Sequence, residues 1–502
     1  MNSTWGTLNP RPARRLQIIH TNDLHSMFAG THGRGGYAQL KHVLQRLVLE
    51  GKRQGIDSLI LDGGDFSEGS SFFLVDRGID TFRALDLLGH EAAVLGNHDH
   101  MMGDEVLSDQ IEQAELRARI LSANAVFASS SDARNLVRPY AIFRKGGLRI
   151  IVIGLSTPEL YYQYSLRPGY ILPPLLVIGH YERIARQEGA DLVVALTHLG
   201  LAADRRLVQH TTRVDLVVGG HSHSFLEEPV EVRNRDGRRV PIVQAGAHGF
   251  AVGRLIVEAR EPGEILIRDY GLYPVNMASP EDPEVWAFVE RAVERRHTYF
   301  HGRWDQVVGG SRISLYGYSH EGASGKEYWI EQQARMVREA AETDIGVHIG
   351  NFNGIMVPPG EITYGNIVDN MPHVRRFGEH GWQLGRSNLE GWRLLAILKA
   401  FINLSGQLAF RFDGLKWRQA VIPDWVPLVG GWLWLWDVRV GGQPLKRHRH
   451  YSLGFTSEIA RAARELLPSV EQVLFPQFEK MDHRYWQVTE NYIRQHSPLE
   501  RP

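Results

Sequence analysis

The chain has 502 residues, of which 43% are hydrophobic and 23% charged, and its formal net charge is −1. A chain of this length usually forms two domains, and the composition is that of an ordinary globular protein. The balanced charge, with no long basic or acidic run, gives no reason to expect nucleic acid or an anionic membrane as a standing partner. Cysteine is absent, which excludes disulfides, thiolate catalysis and thiolate metal sites.

The cellular location is inferred from the N-terminus and from the hydropathy of the chain. Residues 1–12 lack the basic and apolar segments of a signal peptide. No window approaches the roughly 18–20 uninterrupted apolar residues of a membrane span. We therefore expect a cytoplasmic protein, or a periplasmic or secreted one if a leader has been removed. The oligomeric state stays open.

Five short runs rich in Leu and β-branched residues occupy the first half, and each is followed by a turn that carries Asp, Asn or His. These runs are 16–20, 58–61, 92–95, 191–196 and 215–218. Helical patterns lie between some of them, at 37–49 and 79–88. Buried strands that alternate with helices predict an α/β layer fold, and the ends of such strands are the usual place for a site.

The pattern changes after residue 240. Residues 241–274 predict strands, which we expect to complete a second sheet, and residues 279–297 predict a charged connecting helix that buries little. The region that follows contains predicted helices near 328–341, 389–401 and 457–467 and a Trp-rich hairpin around 432–440. The sequence contains no internal repeat.

The turns after the five runs carry clusters that suit metal binding. They are Asp23-Leu24-His25, Gly64-Asp65, Gly96-Asn97-His98-Asp99, His198 and Gly219-Gly220-His221-Ser222-His223. An Asp can bridge two ions with its two oxygens, and oxygen and imidazole ligands suit Mn²⁺, Zn²⁺, Fe²⁺ or Co²⁺. Each residue alone would more often be a helix cap or a core residue. Their order and spacing together indicate a metal centre.

The order of these motifs resembles that of the calcineurin-like metallophosphoesterases. Segments 20–25 and 219–223 are similar to the bacterial 5′-nucleotidase and 2′,3′-cyclic phosphodiesterase branch of that family. The resemblance covers residues 14–275 and implies a four-layer α/β fold, a β-sandwich flanked by helices on both faces. It further implies a connecting helix and linker at 276–309 and a smaller α+β substrate-binding domain at 310–496.

The resemblance also implies two divalent metal ions, Mn²⁺ or Zn²⁺ first, with Mg²⁺, Fe²⁺ or Co²⁺ as alternatives. One ion would be held by Asp23, His25, Asp65 and His223, and the other by Asp65, Asn97, His198 and His221. Two ions about 3.5–4 Å apart can share a hydroxide, lower its pKa and hold the phosphoryl oxygens during in-line attack.

His98 would lie beside the phosphate, where it would stabilise the transition state or protonate the leaving oxygen. Relatives place an Asp three residues after this His, and this chain has Met101 there. Neither Asp99 nor Asp104 has the matching spacing, so the acidic partner of His98 stays open. His248 lies where relatives carry a His near the metals, and it either supports the ligands or is structural.

Residues 360–367 resemble a segment of the C-terminal domain of the same nucleotidases. The Arg that binds substrate phosphate in relatives is replaced by Met356. Phe352, His373 and Phe455 are candidates for binding a nucleobase by stacking. Core packing is the alternative for the two phenylalanines.

We therefore expect a binuclear metal-dependent phosphoester hydrolase that acts on a nucleotide or nucleotide-like small molecule, as a 5′-nucleotidase or a cyclic-nucleotide phosphodiesterase. One alternative is a phosphoesterase for a different small metabolite. Another is a metal-binding or partner-binding homologue without turnover, a reading motivated by Met101 and Met356. The sequence leaves open the leaving group, the choice between monoester and diester, and the native metal.

Overall fold

The computed structural model describes residues 14–31, 33–159, 163–259, 263–315, 326–374, 376–404, 410–423, 432–466 and 478–500. The chain divides into two compact units. The first contains Met1–Glu68 and Val75–Arg295, and the second contains Gly69–Leu74 and Arg296–Pro502. The chain therefore passes from one unit to the other three times.

Two six-stranded sheets form the centre of the first unit. In spatial order, the first sheet contains Ile265–Pro274, Ala251–Ala259, Arg14–Thr21, Asp57–Asp62, Ala92–Val94 and Arg119–Leu121. The second contains Val230–Arg233, Arg239–Val243, Leu216–Val218, Leu192–His198, Leu148–Ser156 and Tyr140–Lys145. Each sheet has four consecutive parallel strands, and antiparallel strands complete it.

Side chains that alternate along these strands build the core. Leu16 and Ile18 of the first sheet and Ile150 and Val152 of the second belong to one buried cluster, as expected where two sheets pack face to face. The opposite side chains of Leu148–Ser156 pack against helices of the outer layer.

Helices cover the outer faces of both sheets. Pro174–Gln187 and Leu201–His210 contribute buried side chains to the second sheet's outer face. On the first sheet, Gln17 Nε2 donates to the carbonyl of Leu47 in helix Tyr37–Arg53 at 2.9 Å. The predicted four-layer sandwich is confirmed. The remaining elements of this unit are helices Ile79–Leu88, Asp104–Ala114 and Ala133–Leu136, the 3₁₀ turn Tyr164–Leu166, and the strand pair Ala125–Val126 and Tyr170–Ile171.

Two expectations for the end of this unit need correction. Of the strands within 241–274, only Arg239–Val243 belongs to the second sheet, because Ala251–Ala259 pairs with Arg14–Thr21 of the first. The connecting helix extends over Pro283–Tyr299 and is amphipathic. Its buried side chains are Val285, Phe288, Val289 and Ala292.

The second unit is an α+β structure, as predicted. Its five-stranded sheet contains, in spatial order, Phe410–Asp413, Ile345–Ile349, His450–Thr456, Gln383–Glu390 and Glu479–Arg484. Smaller sheets contain Leu415–Val421, Leu433–Val440 and Gln443–Pro444, and Val307–Ser311 with Gly360–Thr363. Its described helices are Ser71–Val75, whose last residue belongs to the first unit, Lys326–Ala341, Tyr364–Asn370, Gly391–Leu404, Ser457–Leu466 and Tyr485–His496, with a 3₁₀ turn at Gly350–Phe352. Among the described helices, none has the length and hydropathy that a bilayer crossing requires.

Segment Gly69–Leu74 is distant in sequence from the rest of the second unit but packs within it. The Ser71 amide donates to the Asp369 carboxylate at 2.9 Å. The guanidinium of Arg296 lies 4.3 Å from the Phe72 ring centroid, and the rings of Phe73 and Phe377 are 5.3 Å apart. The segment is therefore an integral part of that unit.

Candidate metal centre and active site

The polar clusters of the sequence meet where the parallel strands of the first unit end. They follow strands Arg14–Thr21, Asp57–Asp62, Ala92–Val94 and Leu216–Val218, or close strand Leu192–His198. The residues brought together are Asp23, His25, Asp65, Asn97, His98, His198, His221 and His223. Asp23, His25, Asp65, Asn97 and His198 are buried, and the other three are partly exposed.

The loops that carry these residues have an unusual backbone. Asp23, His25, Asp65, His221 and His223 all have positive φ values between 50° and 74°. This left-handed conformation costs an L residue about 1–2 kcal/mol and collects at functional sites. Hydrogen bonds between loops hold it, since the amides of Asp23 and His25 donate to the carbonyls of Gly64 and Asp65, both at 2.8 Å.

Asp65 and His198 form the centre of the cluster. His198 Nδ1 donates to the Gly63 carbonyl at 2.7 Å, which directs Nε2 at Asp65 Oδ2, 3.0 Å away. An imidazole lone pair and a carboxylate oxygen repel each other at this distance unless a positive charge lies between them. Burial opposes charge on His198, but Asp65 outweighs it and raises the pKa of His198 to about 10. The position therefore requires a proton or a metal cation.

The second half of the cluster has the same character. His25 Nδ1 donates to the Glu68 carbonyl at 2.7 Å, so Nε2 presents its lone pair to His223 Nε2 at 3.3 Å. His223 Nε2 is also 3.1 Å from Asp23 Oδ1. The amide oxygen of Asn97 is buried and accepts no hydrogen bond from the described part of the chain.

The donor set fits divalent cations. Three groups of side chains each bring their potential ligand atoms within 4.8 Å of one another. The first group is Asp65, His198 and His221; the second is His25, Asp65 and His98; the third is His25, His223 and His248. Orienting hydrogen bonds fix which nitrogen faces the centre, as metal ligands require. The buried carboxylates stay ionised, because the neighbouring histidines keep the pKa of Asp23 and Asp65 low against the effect of burial.

His98 has an acidic partner that the sequence analysis missed. His98 Nδ1 donates to Glu68 Oε2 at 2.5 Å. Burial would lower the pKa of His98, but Asp65 and Glu68 raise it to about 9, a shift that a cation at Asp65 would oppose. Met101 is buried and apolar. In the sequence, Glu68 is simply an acid three residues after Asp65. That spacing does not indicate a contact with His98.

A second acid beside the centre was also missed. Glu159 Oε1 lies 3.1 Å from His221 Nε2. Burial alone would raise the pKa of Glu159, but His221 lowers it through its hydrogen bond and charge. Glu159 follows strand Leu148–Ser156 by three residues, with no motif to distinguish it from other loop acids.

His248 lies beside the first group of ligands. Its ring centroid is 5.4 Å from that of His25 and 5.7 Å from that of His223. Its backbone amide donates to the Asp23 carbonyl at 2.6 Å. Whether it supports the ligands stays a prediction.

The candidate base-binding residues are buried in the second unit. His373 Nε2 donates to the Phe352 carbonyl at 2.7 Å, and the ring of Trp382 stacks on His373 at 5.6 Å. Phe455 has 0% exposure and stacks on Phe478 with centroids 5.5 Å apart. Their role in binding a base stays a prediction.

Residues 16–225, which contain all seven predicted ligands, match the family model described as Calcineurin-like phosphoesterase. The chain is 29% identical to the 5′-nucleotidase of Bos taurus over 409 residues, which is 73% of this chain and 69% of the relative. It is 28% identical to the 5′-nucleotidase of Homo sapiens over 405 residues, which is 73% of this chain and 68% of the relative.

Solved structures share the fold over almost the whole length. The 5′-nucleotidase precursor from Thermus thermophilus superposes with a TM-score of 0.81 at 24% identity, covering 97% of each chain. The sulfate thiohydrolase SoxB from the same species superposes with a TM-score of 0.78 at 21% identity, covering 97% of this chain and 95% of that one. At these identities the likeness establishes the fold.

Proposed function

We propose that this chain, whose residues 16–225 form a calcineurin-like phosphoesterase domain, hydrolyses the phosphoester bond of a nucleotide or a nucleotide-like metabolite. The chain is a metallophosphoesterase whose relatives are 5′-nucleotidases, so the predictions of family, enzyme class and fold are confirmed. The proposal adds the two ions, the substrate class and the work of individual residues.

The observation that carries the proposal is the contact between His198 Nε2 and Asp65 Oδ2 at 3.0 Å. It places two electron-pair donors where a cation fits, and Asp65 lies in two of the ligand groups. Asp23, His25, Asp65 and His223 would hold one divalent ion, and Asp65, Asn97, His198 and His221 the other. Such a pair of ions activates water and neutralises charge on the phosphoryl oxygens. Mn²⁺ and Zn²⁺ are the first candidates.

His98 is the residue of this chain that we assign to the leaving group. Its ring is 15% exposed, so it borders both the buried cluster and the solvent-accessible side. In this assignment Nδ1 donates to Glu68, and Nε2 donates a hydrogen bond or a proton to the leaving oxygen.

For the nucleotide itself, Phe352, His373 and Phe455 are the candidate contacts in the second unit, and core packing is the alternative for Phe352 and for the fully buried Phe455. The support comes from the relatives, since the bovine and human 5′-nucleotidases align over 73% of the chain, which is more than the catalytic half alone.

The test is phosphate release by the purified protein, reconstituted with Mn²⁺ or Zn²⁺, from nucleoside monophosphates, 2′,3′-cyclic nucleotides and a small aryl phosphate. We expect the nucleotides to have the higher kcat/KM. Activity confined to the aryl phosphate would indicate another small metabolite. Metal binding without any hydrolysis would support the binding-protein alternative and contradict the proposal.

A further inference from the structure

We infer that Glu68 is the positioning residue of His98, supplying from the Asp65 loop the carboxylate that the His98 loop lacks. The inference rests on the proposed function, because it assigns work within the same active site. It explains how a chain with Met101 keeps an oriented histidine.

The contact itself is short and enclosed. His98 Nδ1 and Glu68 Oε2 are 2.5 Å apart, and the Glu68 side chain is 4% exposed. A hydrogen bond between a ring N–H and a carboxylate is stronger and more directional than one between neutral groups. Between two largely buried side chains it fixes both the ring orientation and the nitrogen that carries the proton.

The other nearby acids are committed elsewhere. The carboxylate of Asp99 accepts from the amides of Asp65 and Ser67 at 2.9 Å and from that of Gly96 at 2.8 Å. Asp65 Oδ1 accepts from the main-chain amide of His98 at 2.8 Å. Asp99 therefore fixes the loops, and Glu68 is left to orient the ring.

Glu68 serves two histidines through different atoms. Its carboxylate binds His98, and its main-chain carbonyl accepts from Nδ1 of the predicted ligand His25. A side-chain substitution removes the first contact and preserves the second. Metal binding and His98 orientation can therefore be separated by experiment.

The decisive variant is Glu68→Gln, which preserves side-chain size. We expect the Mn²⁺ content to stay at the wild-type level and KM to change little. We expect kcat for a nucleotide to fall about 10- to 100-fold, the usual effect of losing a partner that orients a functional side chain. For an aryl phosphate with a good leaving group the fall should be smaller, because that group needs no proton. Glu91→Gln, which removes a carboxylate bound to Lys145 at 2.8 Å, is the matched control and should leave kinetics unchanged.

A double-mutant cycle shows whether Glu68 acts through His98. His98→Ala alone should lower kcat by about 10²–10⁴, the scale of a general acid. Adding Glu68→Gln to it should then cost almost nothing, because interacting residues are not additive. Met101→Asp in the Glu68→Gln background, which restores an acid to the His98 loop, should recover part of kcat.

Three outcomes would overturn the inference: additive losses in the cycle, a loss of metal in Glu68→Gln, or the same loss for good and poor leaving groups. Additive losses would mean that Glu68 acts independently of His98, and a loss of metal would mean that Glu68 is a metal ligand. A wild-type protein that hydrolyses no phosphoester would contradict the proposed function instead, so the two failures are distinguishable.

Discussion

At the scale of single residues, the site combines strained backbone with concentrated charge. Five predicted ligands adopt positive φ values, and the two predicted Asp ligands, Asp65 and Asp23, face histidines at 3.0 and 3.1 Å. Such a cluster is costly without a cation. We therefore expect bound metal to stabilise the first unit as well as to serve catalysis.

Asp65→Asn tests the shared ligand. The substitution keeps the shape of the side chain but removes its negative charge. In the wild type, Oδ2 of this carboxylate faces His198 and Oδ1 accepts a hydrogen bond from the His98 main-chain amide. We expect the metal content to fall from two ions to one or fewer and kcat to fall by more than about 100-fold, beyond the effect of losing a supporting residue. Metal analysis and phosphate release on the same preparation check this. One tightly held ion in the wild type, together with a fully active Asp65→Asn, would contradict a binuclear centre.

The sequence predicted the members of the candidate site that belong to motifs and missed those that do not. Asp23, His25, Asp65, His198, His221 and His223 were identifiable because each follows or closes a strand in a characteristic order. Glu68 and Glu159 were not, because they meet histidines 30 and 62 positions away in the chain. Only the folded loops bring such pairs together.

At the scale of elements, hydrophobic patterns predicted where strands lie but not which sheet they join. Ala251–Ala259 is buried along its whole length, so its pattern does not show which neighbour it pairs with. The helix Pro283–Tyr299 was predicted to bury little because the segment is rich in Glu and Arg. Val285, Phe288, Val289 and Ala292 nevertheless form a buried stripe at helical spacing.

Strand Ile345–Ile349 carries a buried ionisable group outside the active site. His348 is 0% exposed and stacks on Tyr485 at 5.3 Å, and neither ring nitrogen has a hydrogen-bond partner in the described part of the chain. Burial lowers the pKa of His348 to about 3. The unfolded chain therefore binds this proton below about pH 6.5, while the folded chain does not until about pH 3.

The consequence is a defined loss of stability in acid. The contribution of neutral His348 is complete above about pH 6.5 and declines as the pH falls toward the folded pKa. Between pH 7.5 and 5.5, we expect the wild type to lose about 1.4 kcal/mol more unfolding free energy than His348→Phe, which cannot take up the proton. Urea unfolding at the two pH values measures the difference. Equal losses would show that His348 titrates alike in both states.

Phe455 on strand His450–Thr456 distinguishes core packing from base stacking. Because its side chain is fully buried against Phe478, we expect Phe455→Ala to cost about 3–5 kcal/mol of stability. Nucleotide and aryl phosphate hydrolysis should then fall together as the protein unfolds. A 10- to 100-fold rise in nucleotide KM at unchanged melting temperature, corresponding to about 1–3 kcal/mol of lost stacking, would instead support the predicted base contact.

At the scale of the whole molecule, the second unit depends on segment Gly69–Leu74, which lies in the sequence between two parts of the first unit. Phe73 is 1% exposed and lies 5.3 Å from Phe377. Phe73→Ala should therefore destabilise the second unit by about 3–5 kcal/mol, as for other buried aromatics. Leu176→Ala, at a position that is 72% exposed, is the control and should change stability by less than about 0.5 kcal/mol. Similar unfolding curves for the two variants would show that the segment contributes little.

The inserted segment also sets an order of events during synthesis. Asp369 and Phe377 lie about 300 residues downstream of Ser71 and Phe73. At roughly 5–20 residues per second, a ribosome needs roughly 15–60 s to produce them. Until then, Ser71 and Phe73 lack residues that they contact in the finished protein. A nascent chain that terminates after Arg295 and before Asp369 would contain the whole first unit but lack Asp369 and Phe377, and we expect such products to be the aggregation-prone species in cells that express this protein.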